Sequence, residues 1–214
     1  MANAEVSRGI HLDGRLALFH ESERWLAVAD THFGYSEAMR QAGGLFPLWG
    51  NEAIISRLES LCLDYRPETL LIVGDLVHGR PVQEPFAAFL ARLQSLVPKL
   101  ILIRGNHDQS PRVRDVPFVD SWQTDSFFFH HGHLDLTPPP GSTEITGHWH
   151  PAISWRDGAG LALKLPAFVQ EERRWILPAF SPWSSGTSWN PPGDSGRRWV
   201  CSPKRVFEIE DLIA

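Results

Sequence analysis

Cysteine is scarce in this chain: Cys62 and Cys201 are the two in 214 residues. Two thiols build no disulfide framework, and they are too few and too far apart for a cysteine-based zinc site. Both read as small buried hydrophobes. An excess of positive charge is also missing. The formal net charge is −5, so the molecule as a whole does not attract nucleic acid or an anionic membrane surface, and any nucleic-acid contact needs a local patch. No apolar run approaches the roughly 18 residues that span a bilayer, and Met1–Gly9 lacks the basic start and apolar stretch of a signal peptide. These absences predict a cytoplasmic protein that makes no use of a membrane. Repeats, heptads and low-complexity tracts are absent as well. What remains is ordinary globular composition, 43% hydrophobic and 21% charged, on a chain long enough for one good core. One domain over residues 1–214 is expected.

Three apolar runs organise the first half. Trp25–Ala29 ends in Asp30-Thr31-His32, Leu70–Val73 ends in Gly74-Asp75, and Leu100–Ile103 leads into Gly105-Asn106-His107-Asp108. A short apolar run that closes on a polar residue is the pattern of a buried parallel strand, and in open α/β sheets ligands gather at the carboxyl ends of strands. Asp75 is read as the centre of one shared site. Between these strands, Ile54, Leu58, Leu61 and Tyr65 recur at helical spacing after Asn51, a candidate N-cap. Phe86, Phe89, Leu90, Leu93 and Val97 form a second stripe with Pro85 in its first turn. Upstream, Ile10–Phe19 reads as a hairpin around Asp13-Gly14. The alternation predicts right-handed crossovers and a parallel sheet. From residue 33 to 50 the pattern supports a short helix at most. After residue 120 it changes to short strands, at 126–130, 144–146, 153–155, 160–165, 173–177 and 206–209. Two sheets packed face to face with helices outside would house both halves. A stretch rich in Ser, Pro, Gly and Trp, Ser181–Gly196, reads as a loop.

Six of the 10 histidines stand in clusters: His32, His107, His131, His133, His148 and His150. Alone, each would more often be a surface or core residue than a ligand. Together they form an ordered series at strand ends: Asp-x-His, Gly-Asp-x-x-His, Gly-Asn-His-Asp, His-Gly-His and Gly-His-x-His. Imidazole nitrogens with carboxylate oxygens suit zinc, manganese or iron rather than calcium.

These motifs, from Asp30 to His150, resemble in order and spacing those of the calcineurin-like metallophosphoesterase superfamily. The resemblance implies an α/β fold, a four-layer α/β/β/α sandwich of two mixed sheets flanked by helices. It also implies two divalent transition-metal ions, manganese first, with iron or zinc as alternatives. Carried over by motif, Asp30, His32 and His150 hold the first ion, Asp75 bridges, and Asn106, His131 and His148 hold the second. His107 is the catalytic proton donor or phosphate contact, with Asp108 orienting it. His131 is preferred to His130 and His133 because it precedes Gly132, and His133 is placed behind the ligands rather than on an ion. His78 stands where many members carry aspartate. The implied reaction is attack on phosphorus by a metal-bridging hydroxide.

Leu177-Pro178-Ala179-Phe180-Ser181, running into Ser185-Gly186-Thr187, resembles compact bacterial and archaeal phosphoesterases, among them the ligase-associated DNA-damage-response endonucleases/phosphodiesterases. That branch implies a phosphodiester substrate, single-stranded DNA or DNA ends, and DNA-repair partners. Arg112/Arg114, Arg173-Arg174, Arg197-Arg198 and Lys204-Arg205 are candidate phosphate contacts, and Trp183, Trp189 and Trp199 candidate stacking rings. The alternatives are a small-molecule phosphodiesterase or phosphomonoesterase, and an interaction scaffold without catalysis. The scaffold reading fits poorly with an intact set of ligand positions.

Overall fold

The computed structural model describes residues 3–156, 160, 162–189 and 196–209. The first sheet is mixed. Strands β1 (Asn3–Ser7), β2 (Ile10–Asp13), β3 (Ala17–His20) and β4 (Trp25–Ala29) pair antiparallel in sequence order. From β4 onward the pairing is parallel, through β5 (Thr69–Val73), β6 (Lys99–Ile103) and β7 (Phe118–Val119). Helices α1 (Tyr35–Gln41), α2 (Gly50–Tyr65) and α3 (Gln83–Leu96) make the crossovers. The expected parallel crossovers are therefore present. Strand β1 escaped the sequence reading because its alternating, half-exposed side chains carry little apolar signal.

Helix α2 buries Ile54, Leu58, Leu61 and Cys62, as its periodicity predicts. Asn51 is not its N-cap, however. Trp49 holds that position without a side-chain cap. The Asn51 Oδ1 accepts the Gly34 N–H at 2.9 Å, and its amide donates to Glu37 at 2.7 Å. A tertiary demand on Asn51 has displaced the local one.

The second sheet contains β8 (Ser121–Gln123), β9 (Phe127–His130), β10 (Thr143–Thr146), β11 (Pro151–Arg156), β12 (Ala162–Glu171), β13 (Arg174–Ile176), β14 (Thr187–Ser188), β15 (Arg197–Ser202) and β16 (Arg205–Ile209). Their order is β14-β11-β12-β13-β10-β9-β8, with β15 joining β12 to β16. The ten-residue β12 changes partners along its length. Ala162–Pro166 pair with β11, while its later residues pair with β13 and β15. The segments at 160–165 and 181–196 include residues 161 and 190–195, which lie outside the described ones. All three α-helices among the described residues belong to the first half.

The two sheets share one core. Trp25 of β4, 1% exposed, meets Phe127 and Phe129 of β9 edge-on, with ring centroids 4.9 and 5.0 Å apart. Edge-to-face aromatic packing of this kind adds to the area it buries. Where the core ends, Ala179–Ser181 runs beside the tip of β4. Phe180 N–H donates to Ala29 O at 2.8 Å and Ser181 N–H to Asp30 O at 3.1 Å. That stitch brings the loops of both sheets to one place.

Candidate metal centre

Every expected ligand stands at a strand end or in the turn after it, and the backbone there is unusual. Asp30, His32, Asp75, His148 and His150 have φ of 54°, 46°, 44°, 70° and 47°. The left-handed region costs an ordinary residue roughly 1–2 kcal/mol, so these turns need external support. A ladder between the first two loops provides it. Asp30 N–H donates to Gly74 O at 3.2 Å, His32 N–H to Asp75 O at 2.9 Å, Phe33 N–H to Leu76 O at 2.9 Å and His78 N–H back to Phe33 O at 3.0 Å.

Glycine allows the loops to close on one another. Gly74 has φ +83°, and a Cβ there would lie 2.0 Å from the His131 ring. A Cβ at Gly105 would lie 2.0 Å from Asp75 Oδ1. Asp108 does not orient His107. Its fully buried carboxylate accepts Gly105 N–H at 2.8 Å, Leu76 N–H at 3.2 Å and Val77 N–H at 3.1 Å. It is a clamp between the loops after β5 and β6.

The side chains converge on the two carboxylates. Ligand atoms of Asp30, His32, Asp75 and His150 lie within 4.8 Å of one another. His131 sits between the acids, its Nε2 2.9 Å from Asp30 Oδ1 and 3.6 Å from Asp75 Oδ2. His148 follows, its ring 4.9 Å from that of His131 and its N–H donating to Asp30 Oδ2 at 3.0 Å. Asp75 Oδ1 accepts the His107 N–H at 2.8 Å, and the His107 Nε2 lies 3.9 Å from Asp75 Oδ2. The His107 side chain is 44% exposed, at the mouth of the site. His130 points elsewhere, with Nε2 2.6 Å from Glu144 Oε1. Neighbours on a strand face opposite ways. His133 touches the far nitrogen of His131, Nδ1 to Nδ1 at 3.0 Å.

Two residues outside the expected ligand set also belong to the site: Ser184, which the motifs leave out, and His78, which closes the Gly-Asp-x-x-His motif. Ser184 Oγ lies 3.1 Å from His150 Nδ1, and His78 Nδ1 lies 3.4 Å from His32 Nδ1. Both steady the rear nitrogen of a candidate ligand, as partners of metal-binding histidines commonly do. The segment from Ser181 to Thr187 acts both as a turn on the core and as a wall. With His32, Tyr35, His78, His107 and His150 it lines an open cavity of about 290 Å³.

Asp30, His32 and His148 are held in the forms that bind a cation. Burial acts to raise the Asp30 carboxyl, but His131 and His150 outweigh it and hold Asp30 well below the usual carboxylate range. Burial raises Asp75, with His131 opposing and Asp30 adding. Burial pushes His32 down to about 3, helped by His150 and His107 and resisted by Asp30. It also lowers His148, with His131 adding. Neutral imidazoles are the ligating form. Among the expected ligands in the described residues, two buried acceptor-capable atoms lack a hydrogen-bond partner: Asn106 Oδ1 and His150 Nε2, the latter 3.4 Å from Asp30 Oδ1 but out of line for a bond. Buried lone pairs left unmet are costly, and a transition-metal ion accepts oxygen and imidazole donors of this kind.

Several of the basic and aromatic candidates for nucleic-acid contact are committed elsewhere. Arg197 forms a two-pronged pair with Glu208, and Arg174 pairs with Glu171 and lies 4.0 Å from Glu144. Arg112 donates to Pro81 O at 2.7 Å. Trp199 is buried against Trp175, and Trp189 packs on a small apolar cluster around Ile153 and Val200. Of the three tryptophans singled out from the sequence, Trp183 alone lines the cavity.

The family model for calcineurin-like phosphoesterases matches residues 24–211. The chain is also similar to a solved structure, the nuclease MPE of Pseudomonas putida, at 28% identity and a TM-score of 0.73, over 97% of this chain and 98% of that one. No curated protein matches the chain. Among the described residues, no helix is long and apolar enough to cross a membrane.

Proposed function

Because this chain belongs to the calcineurin-like phosphoesterase family and is thus a metal-dependent phosphoester hydrolase, we propose that it cleaves phosphodiesters in nucleic acid using two divalent ions, manganese first and iron or zinc as alternatives. The observation that carries the reading is the meeting of Asp30, His32, Asp75 and His150 within 4.8 Å, together with the buried, unpartnered Asn106 Oδ1 in the turn whose next residue bonds Asp75. Asp30, His32, Asp75 and His150 would hold one ion, and Asp75, Asn106, His131 and His148 the other. Bound there, the ions supply positive charge beside the phosphoryl group and acidify a water. The similarity to a nuclease supports nucleic acid as the substrate class. The core that runs through both sheets supports reading residues 1–214 as one domain.

The protein's own groups do the rest. His107 stands at the open edge of the centre, tied by its backbone to Asp75, so its Nε2 is free to hand a proton to the departing oxygen. His78 stacks on the His107 ring at 5.2 Å and 25°, and also meets His32, so it holds both rings in register. Asp108 fixes the loop that carries Asn106 and His107.

The test sets a chromogenic diester, a monoester and single-stranded DNA side by side, with and without manganese, and counts metal per chain by elemental analysis. Close to two ions and manganese-dependent diester cleavage are expected. Uptake of no metal would sink the proposal. Metal that binds only the folded chain also stabilises it, by about 2.7 kcal/mol at 100 times its Kd. For a chain of this size that is a rise in Tm of roughly 5–10 °C over chelator-treated protein.

A second expectation concerns His107→Ala. It removes the proton donor and leaves the four-residue cluster intact. The variant should keep its metal but lose roughly 10²–10⁴-fold in turnover on substrates with a poor leaving group, and much less where the leaving group needs no proton. Equal losses on both substrates would take His107 out of the acid role.

A further inference from the structure

A file of rings runs from the metal centre to the surface, and the chemistry described so far does not use its outer half. It starts at His32, passes to His78 at 5.3 Å and to Tyr35 at 4.6 Å. Tyr35 and Trp183 are near-parallel, 17° apart in plane with centroids 6.4 Å apart. Trp49 continues the file at 4.6 Å from Trp183, and Phe46 meets Trp183 edge-on at 5.7 Å. Tyr35 and Trp183 both line the cavity that holds His32, His107 and His150.

The position of Trp183 is built rather than incidental. Its indole lies so close to the start of α2 that a Cβ on Gly50 would come within 2.1 Å of Nε1. With Trp49 and Phe46 on its other sides, the ring has little freedom. Beyond it the surface stays apolar: Trp49, Leu48 and Leu45 are 52%, 53% and 101% exposed. At the flank, the exposed Arg40 donates to Phe46 O at 3.2 Å.

We infer that Tyr35 and Trp183 form a nucleobase-stacking wall, which takes the base next to the phosphate held at the metals and passes the strand outward over Trp49 toward Arg40. The inference rests on the phosphodiesterase reading above and names which part of the substrate the enzyme grips. A base suits this wall better than an aliphatic chain. It is planar, every base offers a π-face to an aromatic ring whatever the sequence, and its sugar links it to the anionic group the centre takes. The exposed Arg40 guanidinium, beside Phe46 at the flank of the file, would meet a neighbouring phosphate. Stacking on a ring face does not depend on the base edge, so the grip is on bases in general.

The test compares an oligothymidylate with an abasic strand of equal length and phosphate count, on manganese-loaded protein. Stopped-flow anisotropy reads binding before cleavage. Wild type should bind the base-bearing strand roughly tenfold more tightly, within the range carried by base–aromatic stacking. Trp183→Leu should reduce that preference to under twofold, and Trp183→Phe should keep most of it. Thermal melts check folding, and Tyr35→Leu, judged by the same criterion, carries the test if Trp183→Leu does not fold. Equal binding of the two strands by wild type would overturn the inference, as would an unchanged preference in Trp183→Leu. Cleavage without base preference overturns the wall alone. Base preference that responds to Trp183, with no cleavage of any diester, supports the wall and overturns the hydrolytic reading.

Discussion

Replacing Asp75 by Asn is expected to reduce turnover by at least roughly 10³-fold while leaving the chain folded. The substitution keeps shape. An amide oxygen can still accept the His107 N–H now held at 2.8 Å by Oδ1. What is lost is the charge on the other oxygen, which faces His131 at 3.6 Å, His32 at 3.8 Å and His107 at 3.9 Å. With Asp75 neutral, Asp30 is the one carboxylate left in the cluster, and both proposed ion positions lose the same ligand. Metal content should therefore fall together with rate. Elemental analysis and initial rates on a chromogenic diester check this, with thermal melts to confirm folding. Near-normal rates would remove Asp75 from the centre. Full metal with lost rate would assign it to orientation of the substrate instead.

The expected ligands were legible in the sequence because the signal is local. An apolar run that stops at Asp30, at Asp75 or before Asn106 announces a buried strand with a polar tip. The pairs Asp30/His32 and His148/His150 need no knowledge of distant contacts to look like ligands. What was not legible depends on distance. Asn51 has an N-cap's residue type at an N-cap's position, yet its side chain answers Gly34 and Glu37. Trp183 and Trp199 look alike as letters; pairing of β15 with β12 buries one, and the stitch beside β4 leaves the other at the cavity. Strand β12 pairs with three different strands, a non-local arrangement that short apolar runs do not encode. Asp108 follows His107 directly, so adjacency suggested a partnership, but the carboxylate turns inward to three backbone donors.

That inward turn makes Asp108→Ala the second large effect. The substitution strands three buried N–H groups, on Gly105, Leu76 and Val77, that now share one carboxylate. An unsatisfied buried donor costs about 1–3 kcal/mol; with water free to enter the space the carboxylate leaves, the three stay near the low end, so a total of roughly 3–5 kcal/mol is expected, a large part of the 5–15 kcal/mol that holds typical domains folded. At 2–4 °C per kcal/mol, Tm should fall by roughly 10 °C. Asp108→Asn should recover only part of this, because its amide nitrogen would turn a donor toward donors. Catalysis should suffer beyond the loss of folded protein. Asp75 and the Asn106–His107 turn ride on the two loops that Asp108 joins, and misplacement by about 1 Å costs on the order of 10²-fold in rate. Measured well below the new Tm, turnover should stay depressed even when manganese is saturating, which separates a lost clamp from a lost ligand. A Tm within a degree of wild type would mean that the ladder from Asp30 to His78 holds these loops without help from Asp108.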